Sequence, residues 1–142
     1  SGQVRWVDHG HWAEVVLSNP AKFNAMSRSM WRQLREVFES VQAQSPLRVV
    51  LVRGDGAHFC SGGDISEYPG FRFDAAALRD FHENDVWGGL NAMLQCDVPI
   101  VASISGLLTY FMVSALWALK TRWNRRRRMK LRASAPSRQD GP

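Results

Sequence analysis

The fold is decided by the stretch Phe59-Cys60-Ser61-Gly62-Gly63-Asp64-Ile65, which follows a short aliphatic run at residues 47–52. That run is nearly continuous and rich in β-branched residues, so it predicts a strand buried on both faces of a sheet. Gly54 and Gly56 end the strand and predict a loop over residues 57–63. Paired glycines after a strand let backbone N–H groups face a ligand, because no side chain blocks its approach. Such groups can stabilise an oxyanion, although an ordinary glycine turn is the alternative interpretation.

The segments around this stretch predict an α/β layer. In chain order they are a strand at 3–8, a strand at 12–18, a helix at 27–44, the strand at 47–52, a helix from 73 to 94 and a strand at 97–104. Ser27 and Asp74 are the expected N-caps of the two helices. Strands that alternate with helices favour parallel pairing, so we expect a parallel part of the sheet covered by helices.

Composition excludes several classes of protein. The chain has 142 residues, 45 % of them hydrophobic, which fits one globular domain. Its two cysteines, Cys60 and Cys96, exclude a disulfide-dense secreted scaffold and a Cys-rich zinc site, and no metal site is predicted. Because the thiols are expected to be reduced and no signal peptide precedes them, the sequence predicts a cytoplasmic protein.

The formal net charge of +5 is unevenly distributed. Residues 1–106 contain nine Lys and Arg against twelve Asp and Glu, whereas residues 107–142 contain nine basic residues and one acid. This excludes a uniformly basic nucleic-acid-binding domain in the first part, and we expect no specific nucleic-acid partner. We therefore predict two regions: a body at residues 1–106 and a tail at residues 107–142.

Three stretches, taken together and in order, carry a family resemblance. They are Asn19-Pro20-Ala21-Lys22-Phe23-Asn24-Ala25-Met26, the loop Phe59 to Ile65 quoted above, and Val98-Pro99-Ile100-Val101-Ala102-Ser103-Ile104-Ser105-Gly106. In sequence and spacing the chain resembles the enoyl-CoA hydratase/isomerase (crotonase) family, with its N-P-x-x-x-N-A-[LM], F-[CS]-x-G-x-D-[IL] and P-[VI]-[VI]-A-x-[IV]-x-G patterns. The resemblance covers residues 4–106 and implies an incomplete crotonase-like ββα spiral fold.

The resemblance also implies a substrate and a site. Family members act on acyl-CoA thioesters by adding water to a 2-enoyl thioester or shifting its double bond, and they hold the enolate in an oxyanion hole. Coenzyme A belongs to the substrate, so no separate cofactor is expected, and family members form trimers or hexamers. The backbone N–H of Cys60 would be the first oxyanion donor, with its thiol incidental. The substrate-binding residues would be Lys22 and Ala25 near the adenine and phosphate end, and Cys60, Ser61, Gly62, Gly63 and Asp64 along the pantetheine and acyl channel. Asp64 would hold the loop rather than take part in catalysis.

The chain departs from the family pattern after Gly106. Counting along the pattern places the second oxyanion donor at Phe111, in a stretch without glycine, and the two hydratase glutamates at about Ser114 and Ser134. Neither serine is acidic, and residues 107–142 contain no Glu. The sequence therefore predicts an inactive enzyme-like chain, and a non-catalytic CoA-binding fragment is the alternative.

Three interpretations of the tail stay open. Residues 98–119 carry no charge and precede a basic cluster, which would suit a membrane span with a basic flank. The basic cluster at 122–132 would suit anionic lipid headgroups or phosphates. A change of reading frame after Gly106 is the favoured interpretation, because the composition shifts abruptly there.

The remaining chemistry-bearing residues have ordinary structural interpretations. His58 and His82 are expected at the surface or at its boundary, because no acid or base partner is identifiable. Glu67, Glu83 and Asp85 are expected as solvated charges. The six tryptophans, Trp31 and Trp87 among them, are expected to pack the core.

Overall fold

The computed structural model describes residues 2–43 and 46–106 as an α/β layer. Its strands are β1 (Gln3–Asp8), β2 (Trp12–Ser18), β3 (Val49–Gly54) and β4 (Ile100–Ser103), and they form one sheet in the order β1-β2-β3-β4. β1 and β2 pair antiparallel as a hairpin, whereas β2 with β3 and β3 with β4 pair parallel. The predicted α/β class is therefore confirmed, with its parallel part on one side of the hairpin.

Helices connect the parallel strands. The long helix α1 (Arg28–Ala43) joins β2 to β3, and α2 (Ala75–Asp80), a π-helical turn (Phe81–Val86) and α3 (Trp87–Gln95) precede β4 in direct succession. Both expected N-caps are confirmed. The Ser27 hydroxyl accepts a hydrogen bond from the Met30 N–H at 3.2 Å, and the Asp74 carboxylate accepts from the Ala76 and Ala77 N–H groups at 2.8 and 3.1 Å.

The core lies between the sheet and α1. The predicted stripe of α1 is buried at Met30, Leu34, Phe38 and Val41, and Val15, Leu17, Val50 and Val52 supply the sheet side. Because alternate residues of a strand face the same side of a sheet, each strand presents its β-branched and aliphatic positions to the helix.

The tryptophan prediction is correct for Trp31 and wrong for Trp87. Trp31 is buried in the core, whereas Trp87 is 54 % exposed. The reason lies at Gly89, where a Cβ atom would come within 3.0 Å of the Trp31 carbonyl oxygen. The glycine side of α3 therefore makes the close approach to α1, and the large side chain two residues earlier is left outside.

The prediction that Asp85 is a solvated charge is also wrong. The π-helical turn places Asp85 in the interior at 3 % exposure, where its carboxylate accepts from the Arg28 Nε at 2.7 Å and from the Arg32 Nε at 2.6 Å. A π-turn fits one extra residue into the helix and so shifts the face that each later side chain occupies. A pattern with a period of 3.6 residues cannot anticipate that shift.

β4 is the edge of the sheet among the described residues, where it pairs with β3 alone. Val101 in β4 and Ile104 directly after it are 52 % and 47 % exposed. Within residues 2–43 and 46–106 no helix is long and apolar enough to cross a membrane. Residues 107–142 lie outside the described part of the chain, and so do the three interpretations of the tail and the predicted boundary at Gly106.

Candidate functional site

Two loops lie side by side where β2 and β3 end. The first follows β2 and contains residues 19–26, and the second follows β3 and contains residues 55–64. Because β2 and β3 are parallel neighbours, their carboxyl ends share one edge of the sheet, which is where open α/β sheets commonly bind ligands. The structure thus brings Lys22, Ala25 and residues 60–64 of the predicted site to one edge of the sheet, whereas the predicted positions 111, 114 and 134 lie outside the described residues.

Backbone hydrogen bonds join the two loops. The Ser61 N–H donates to the Phe23 carbonyl at 3.0 Å, the Met26 N–H donates to the Gly62 carbonyl at 2.7 Å, and the Asp64 N–H donates to the Met26 carbonyl at 2.9 Å. Met26 and Gly63 form an isolated parallel β-bridge. The backbone of the first loop therefore fixes the course of residues 61–64 in the second loop.

Unusual backbone conformations make this pairing possible. Phe23 and Asn24 both have left-handed backbones, with φ of 50° and 60°. Gly62 has φ of 115°, a region open to glycine and costly for other residues. A Cβ atom at Gly54 would overlap the carbonyl oxygen of His58, so glycine at the end of β3 lets the second loop cross directly over the strand.

The backbone of Cys60 offers different chemistry from its thiol. The side chain is fully buried, with its Sγ within 3.6 Å of the Gly62 carbonyl oxygen, and burial raises the pKa of the thiol. A buried, protonated thiol is a poor nucleophile. The Cys60 N–H makes no hydrogen bond to residues 2–43 or 46–106, whereas the Phe59 N–H donates to Ser105 at 2.8 Å and the Ser61 N–H to Phe23.

Hydrogen bonds to residues in or next to the two loops hold Lys22 and Ala25, which are predicted to lie near the phosphates. The Lys22 ammonium donates to the Asp64 carboxylate and to the Ser66 hydroxyl, both at 2.6 Å, although the Lys22 side chain is 43 % exposed. The Ala25 carbonyl accepts from the Asn19 carboxamide at 2.8 Å. The Ser61 hydroxyl donates to the Lys22 carbonyl at 2.9 Å. A phosphate that approached Lys22 would therefore share the ammonium with Asp64.

Asp64 is built into the loop as an anion. Burial acts to raise the pKa of Asp64, but hydrogen bonds from Lys22 and Ser66, with the positive charge of Lys22, outweigh it and lower the pKa below its ordinary value. The carboxylate also accepts from the Ser66 N–H at 3.1 Å, as the N-cap of the 3₁₀ turn Ile65–Gly70. These contacts fix the position of the Asp64 carboxylate within the loop.

The sequence-based prediction assigns no role to the Asn24 side chain. Asn24 belongs to the quoted first stretch, yet its carboxamide makes three hydrogen bonds to the main chain: it accepts from the Asn19 N–H at 2.9 Å and donates to the Asp55 and His58 carbonyls at 2.8 and 2.7 Å. The signal was available, because an Asn at a tight loop commonly bonds to the backbone and tolerates a left-handed conformation. What the sequence does not show is which carbonyls it reaches.

Other candidate groups lie elsewhere or are engaged. His58 is half-buried with its ring edge-on to Phe23 at 5.0 Å, and His82 is exposed, as expected. Glu67 accepts from the Arg28 N–H at 2.7 Å at the start of α1. Among the residues that the structure describes, no group of three or more His, Cys, Asp or Glu side chains could hold a metal ion. A cavity of about 400 Å³ lies between α1 and α3, beside Trp87, and none of the residues that line it belongs to either loop.

Comparison with known proteins identifies the family. The model of the protein family described as "Enoyl-CoA hydratase/isomerase" matches residues 10–109 of this chain. The chain is 34 % identical over 104 residues to the mitochondrial Delta(3,5)-Delta(2,4)-dienoyl-CoA isomerase of Mus musculus, covering 68 % of this chain and 32 % of that protein. It is 33 % identical over 92 residues to an enoyl-CoA hydratase of Alternaria alternata, covering 65 % of this chain and 29 % of that protein.

Solved structures agree on the fold. A crystal structure of an enoyl-CoA hydratase/carnithine racemase from Magnetospirillum magneticum superposes with a TM-score of 0.69 at 33 % identity, covering 72 % of this chain and 39 % of that one. The fold is therefore the crotonase fold, and the chain spans about a third of the length of these curated relatives. With the ordered loops, the family match and the superposition in agreement, the chain belongs to the enoyl-CoA hydratase/isomerase family.

Proposed function

We propose that the chain binds acyl-CoA thioesters at the two loops, with the Cys60 N–H donating to the thioester carbonyl oxygen. One observation carries the proposal: within the described residues this N–H has no acceptor, while the amides on either side of it are bonded and hold it in place. A donor held in place by its neighbours loses little entropy when it meets a carbonyl oxygen, which is the requirement for oxyanion stabilisation.

Charge and apolar surface around the donor suit the other parts of such a ligand. Phe23 and Ile65 are 52 % and 76 % exposed beside the loops and offer apolar surface to the acyl and pantetheine chain. Lys22 and Ala25 would lie toward the phosphate end, where the half-exposed ammonium is a point charge for a phosphate. Coenzyme A is part of the ligand, so the proposal requires no separate cofactor.

The reaction that fits the family is addition of water to a 2-enoyl thioester or a shift of its double bond, through an enolate held by two N–H donors. Two candidate acids of the chain, Asp85 and Glu67, do not fit the proton transfers. Asp85 is buried against two arginines, and Glu67 is bonded to the start of α1. Residues 107–142, where the family pattern places the glutamates, contain no Glu. We therefore propose that these 142 residues bind the thioester and do not hydrate it.

Magnitudes support binding without turnover. Removal of one oxyanion donor costs on the order of 10²–10³ in rate. Removal of the acid and base groups costs roughly another 10²–10⁴. Even a well-formed first half-site would then leave hydration close to the uncatalysed rate. Family-like loss of the enoyl absorbance in a spectrophotometric assay would contradict this part of the proposal.

A matched pair of variants at Cys60 tests the donor. Cys60→Ala removes the buried thiol and keeps the N–H, whereas Cys60→Pro removes the N–H. We expect calorimetric titration with a 2-enoyl-CoA to give similar affinity for the wild type and Cys60→Ala, and binding about tenfold weaker for Cys60→Pro, since the lost bond contributes on the order of 1 kcal/mol.

Free CoA is the control ligand, because it lacks the acyl thioester. Its affinity should be the same for both variants, provided that circular dichroism shows Cys60→Pro to be folded. Equal affinity of both variants for the enoyl thioester would contradict the assignment of the Cys60 N–H. Absence of binding by the wild type would contradict the proposed function itself.

A further inference from the structure

The Tyr68 side chain joins the aromatic part of the core to the second loop of the candidate site. Tyr68 lies in the 3₁₀ turn that Asp64 caps, and its carbonyl accepts from the Phe71 and Arg72 N–H groups at 3.0 and 2.7 Å. Its half-buried ring packs on Phe71 and Phe81, with its centroid 5.4 and 5.9 Å from those of the two phenylalanine rings. Because backbone and ring are both held, the hydroxyl has a defined position.

The Tyr68 hydroxyl reaches the second loop at Gly63. A Cβ atom on Gly63 would lie 3.3 Å from the Tyr68 oxygen, a contact tighter than side chains normally make. Glycine at this position therefore leaves room for the phenol beside the backbone of residues 60–64. Gly63 also forms the β-bridge to Met26 of the first loop, so the hydroxyl lies where the two loops are joined.

The hydroxyl is available to a ligand at this place. A phenol can donate one hydrogen bond and accept others, and no group in the described part of the chain is hydrogen-bonded to the Tyr68 oxygen. The polar side chains at the start of the turn are already bonded to one another, because Lys22 donates to Asp64 and to Ser66. A ligand oxygen at the second loop would therefore find a donor in Tyr68 without breaking a bond within these residues.

Resting on the proposed function, we propose that Tyr68 contacts the bound ligand: its hydroxyl donates a hydrogen bond to an oxygen of the acyl group in an acyl-CoA thioester. Two oxygens can fill this role, the thioester carbonyl and a hydroxyl on the acyl chain, and a phenol recognises both by the same bond. Free CoA has no acyl oxygen. Tyr68 therefore favours the thioester over free CoA, because the hydroxyl gains an acceptor with the thioester alone.

The close approach of Tyr68 to Gly63 can be tested without a ligand. Gly63→Ala places a methyl group against the phenol oxygen, whereas Tyr68→Phe removes that oxygen and keeps the ring on Phe71 and Phe81. In urea unfolding of the full chain, we expect Gly63→Ala to raise the equilibrium constant of unfolding about threefold more in the wild type than in the Tyr68→Phe background. Equal effects in the two backgrounds would overturn the placement of the hydroxyl, and the inference with it.

Tyr68→Phe also tests the bond to the ligand, because it removes one hydroxyl and keeps the apolar ring. Calorimetric titration compares free CoA, a 2-enoyl-CoA whose thioester carbonyl is its one acyl oxygen, and the 3-hydroxyacyl-CoA of the same chain length. We expect the variant to bind free CoA within about twofold of the wild type, and to bind the 3-hydroxyacyl-CoA about tenfold more weakly.

The 2-enoyl-CoA decides which oxygen is bound. Equal weakening with this ligand assigns the bond to the thioester carbonyl, whereas unchanged affinity assigns it to the hydroxyl of the acyl chain. Wild-type affinity of Tyr68→Phe for both thioesters would overturn the inference. Absence of thioester binding by the wild type is a different result, which would overturn the proposed function together with this inference.

Carbon NMR of labelled tyrosine supplies a readout that a purely structural role would not move. The chain has two tyrosines, Tyr68 and Tyr110, so ¹³C labelling of the carbon that bears the hydroxyl gives two signals, and Tyr68→Phe identifies the one from Tyr68. We expect this signal to shift on saturation with the 3-hydroxyacyl-CoA and to stay in place with free CoA. A Tyr68 signal that does not move while the thioester saturates the chain would overturn the inference.

Discussion

Two buried polar side chains, Asn24 in the loops and Asp85 in the helical layer, hold the chain together in different ways. Asn24 is neutral and bonds to main-chain groups at three points. Asp85 is a carboxylate and bonds to the side chains of Arg28 and Arg32. The first arrangement fixes backbone geometry, as a site built from N–H groups requires. The ion pairs of Asp85 fix how α1 and the π-helical turn pack, and they make no contact with the two loops of the candidate site.

The helical cluster depends on its charges being paired. Arg28 also contacts Asp80 at 3.0 Å and lies over the Phe71 ring at 5.2 Å. A buried ion pair contributes little compared with apolar packing, yet loss of one partner leaves the other charge uncompensated. Loss of Asn24 would leave no uncompensated charge in the loops, because its carboxamide is neutral.

The largest expected effect is therefore at Asp85. Asp85→Ala removes the buried carboxylate beside Arg28 and leaves the contact of Arg28 with the half-exposed Asp80. We expect the free energy of unfolding to fall by about 3 kcal/mol, at the lower end of the range for such pairs because Asp80 remains and Arg32 is well exposed. Urea unfolding followed by fluorescence measures it. A loss below about 1 kcal/mol would mean that the cluster acts as an ordinary surface pair.

The next effect is at Gly54, on the loop side of the comparison. Gly54→Ala forces a Cβ against the His58 carbonyl, so we expect a loss of about 2–3 kcal/mol, typical of overpacking, with faster amide exchange at residues 58–63. Gly56→Ala is the matched control. Gly56 also has positive φ, at 71°, but a Cβ there meets open space, so only backbone strain of about 1 kcal/mol is expected. Equal losses would contradict the close crossing at Gly54.

Asp64 gives a pH-dependent prediction. Its folded pKa lies below the ordinary 3.8, so its contribution to stability is complete above that value and is lost as the pH falls through the folded pKa. We expect Asp64→Asn to be about 1–2 kcal/mol less stable than the wild type at pH 7, discounted for the exposure of Lys22. The two proteins should converge near the acid end of a urea-unfolding series. A constant difference at all pH values would show that the carboxylate charge is not the cause.

The smallest effect is expected at Asp74, the N-cap of α2, which lies outside both loops. Asp74→Ala removes two hydrogen bonds from the start of α2 and should cost about 1 kcal/mol. Calorimetric affinity for a 2-enoyl-CoA should not change. A change in affinity comparable to that of Cys60→Pro would mean that binding reports general stability rather than the loops.

The same comparison explains what the sequence could predict. The helices, the parallel strands and the caps at Ser27 and Asp74 follow from local periodicity and from short-range side-chain bonds. The loops could be placed because Gly62, Gly63 and Asn24 occur in short ordered patterns, although the targets of Asn24 lie 31 and 34 residues away. Asp85 could not be predicted, since its arginine partners are 53 and 57 residues distant and a π-turn sets its direction.

The amide NMR spectrum of the full chain directly tests whether the Cys60 N–H meets the carbonyl of an acyl-CoA thioester. On titration with a 2-enoyl-CoA, we expect saturable shifts at Cys60 and its neighbours at residues 61–63, with the Cys60 proton moving downfield as it gains an acceptor. Free CoA should perturb Lys22 and Ala25 and leave the Cys60 proton in place. A Cys60 resonance that stays unmoved while the thioester saturates the chain would contradict the account.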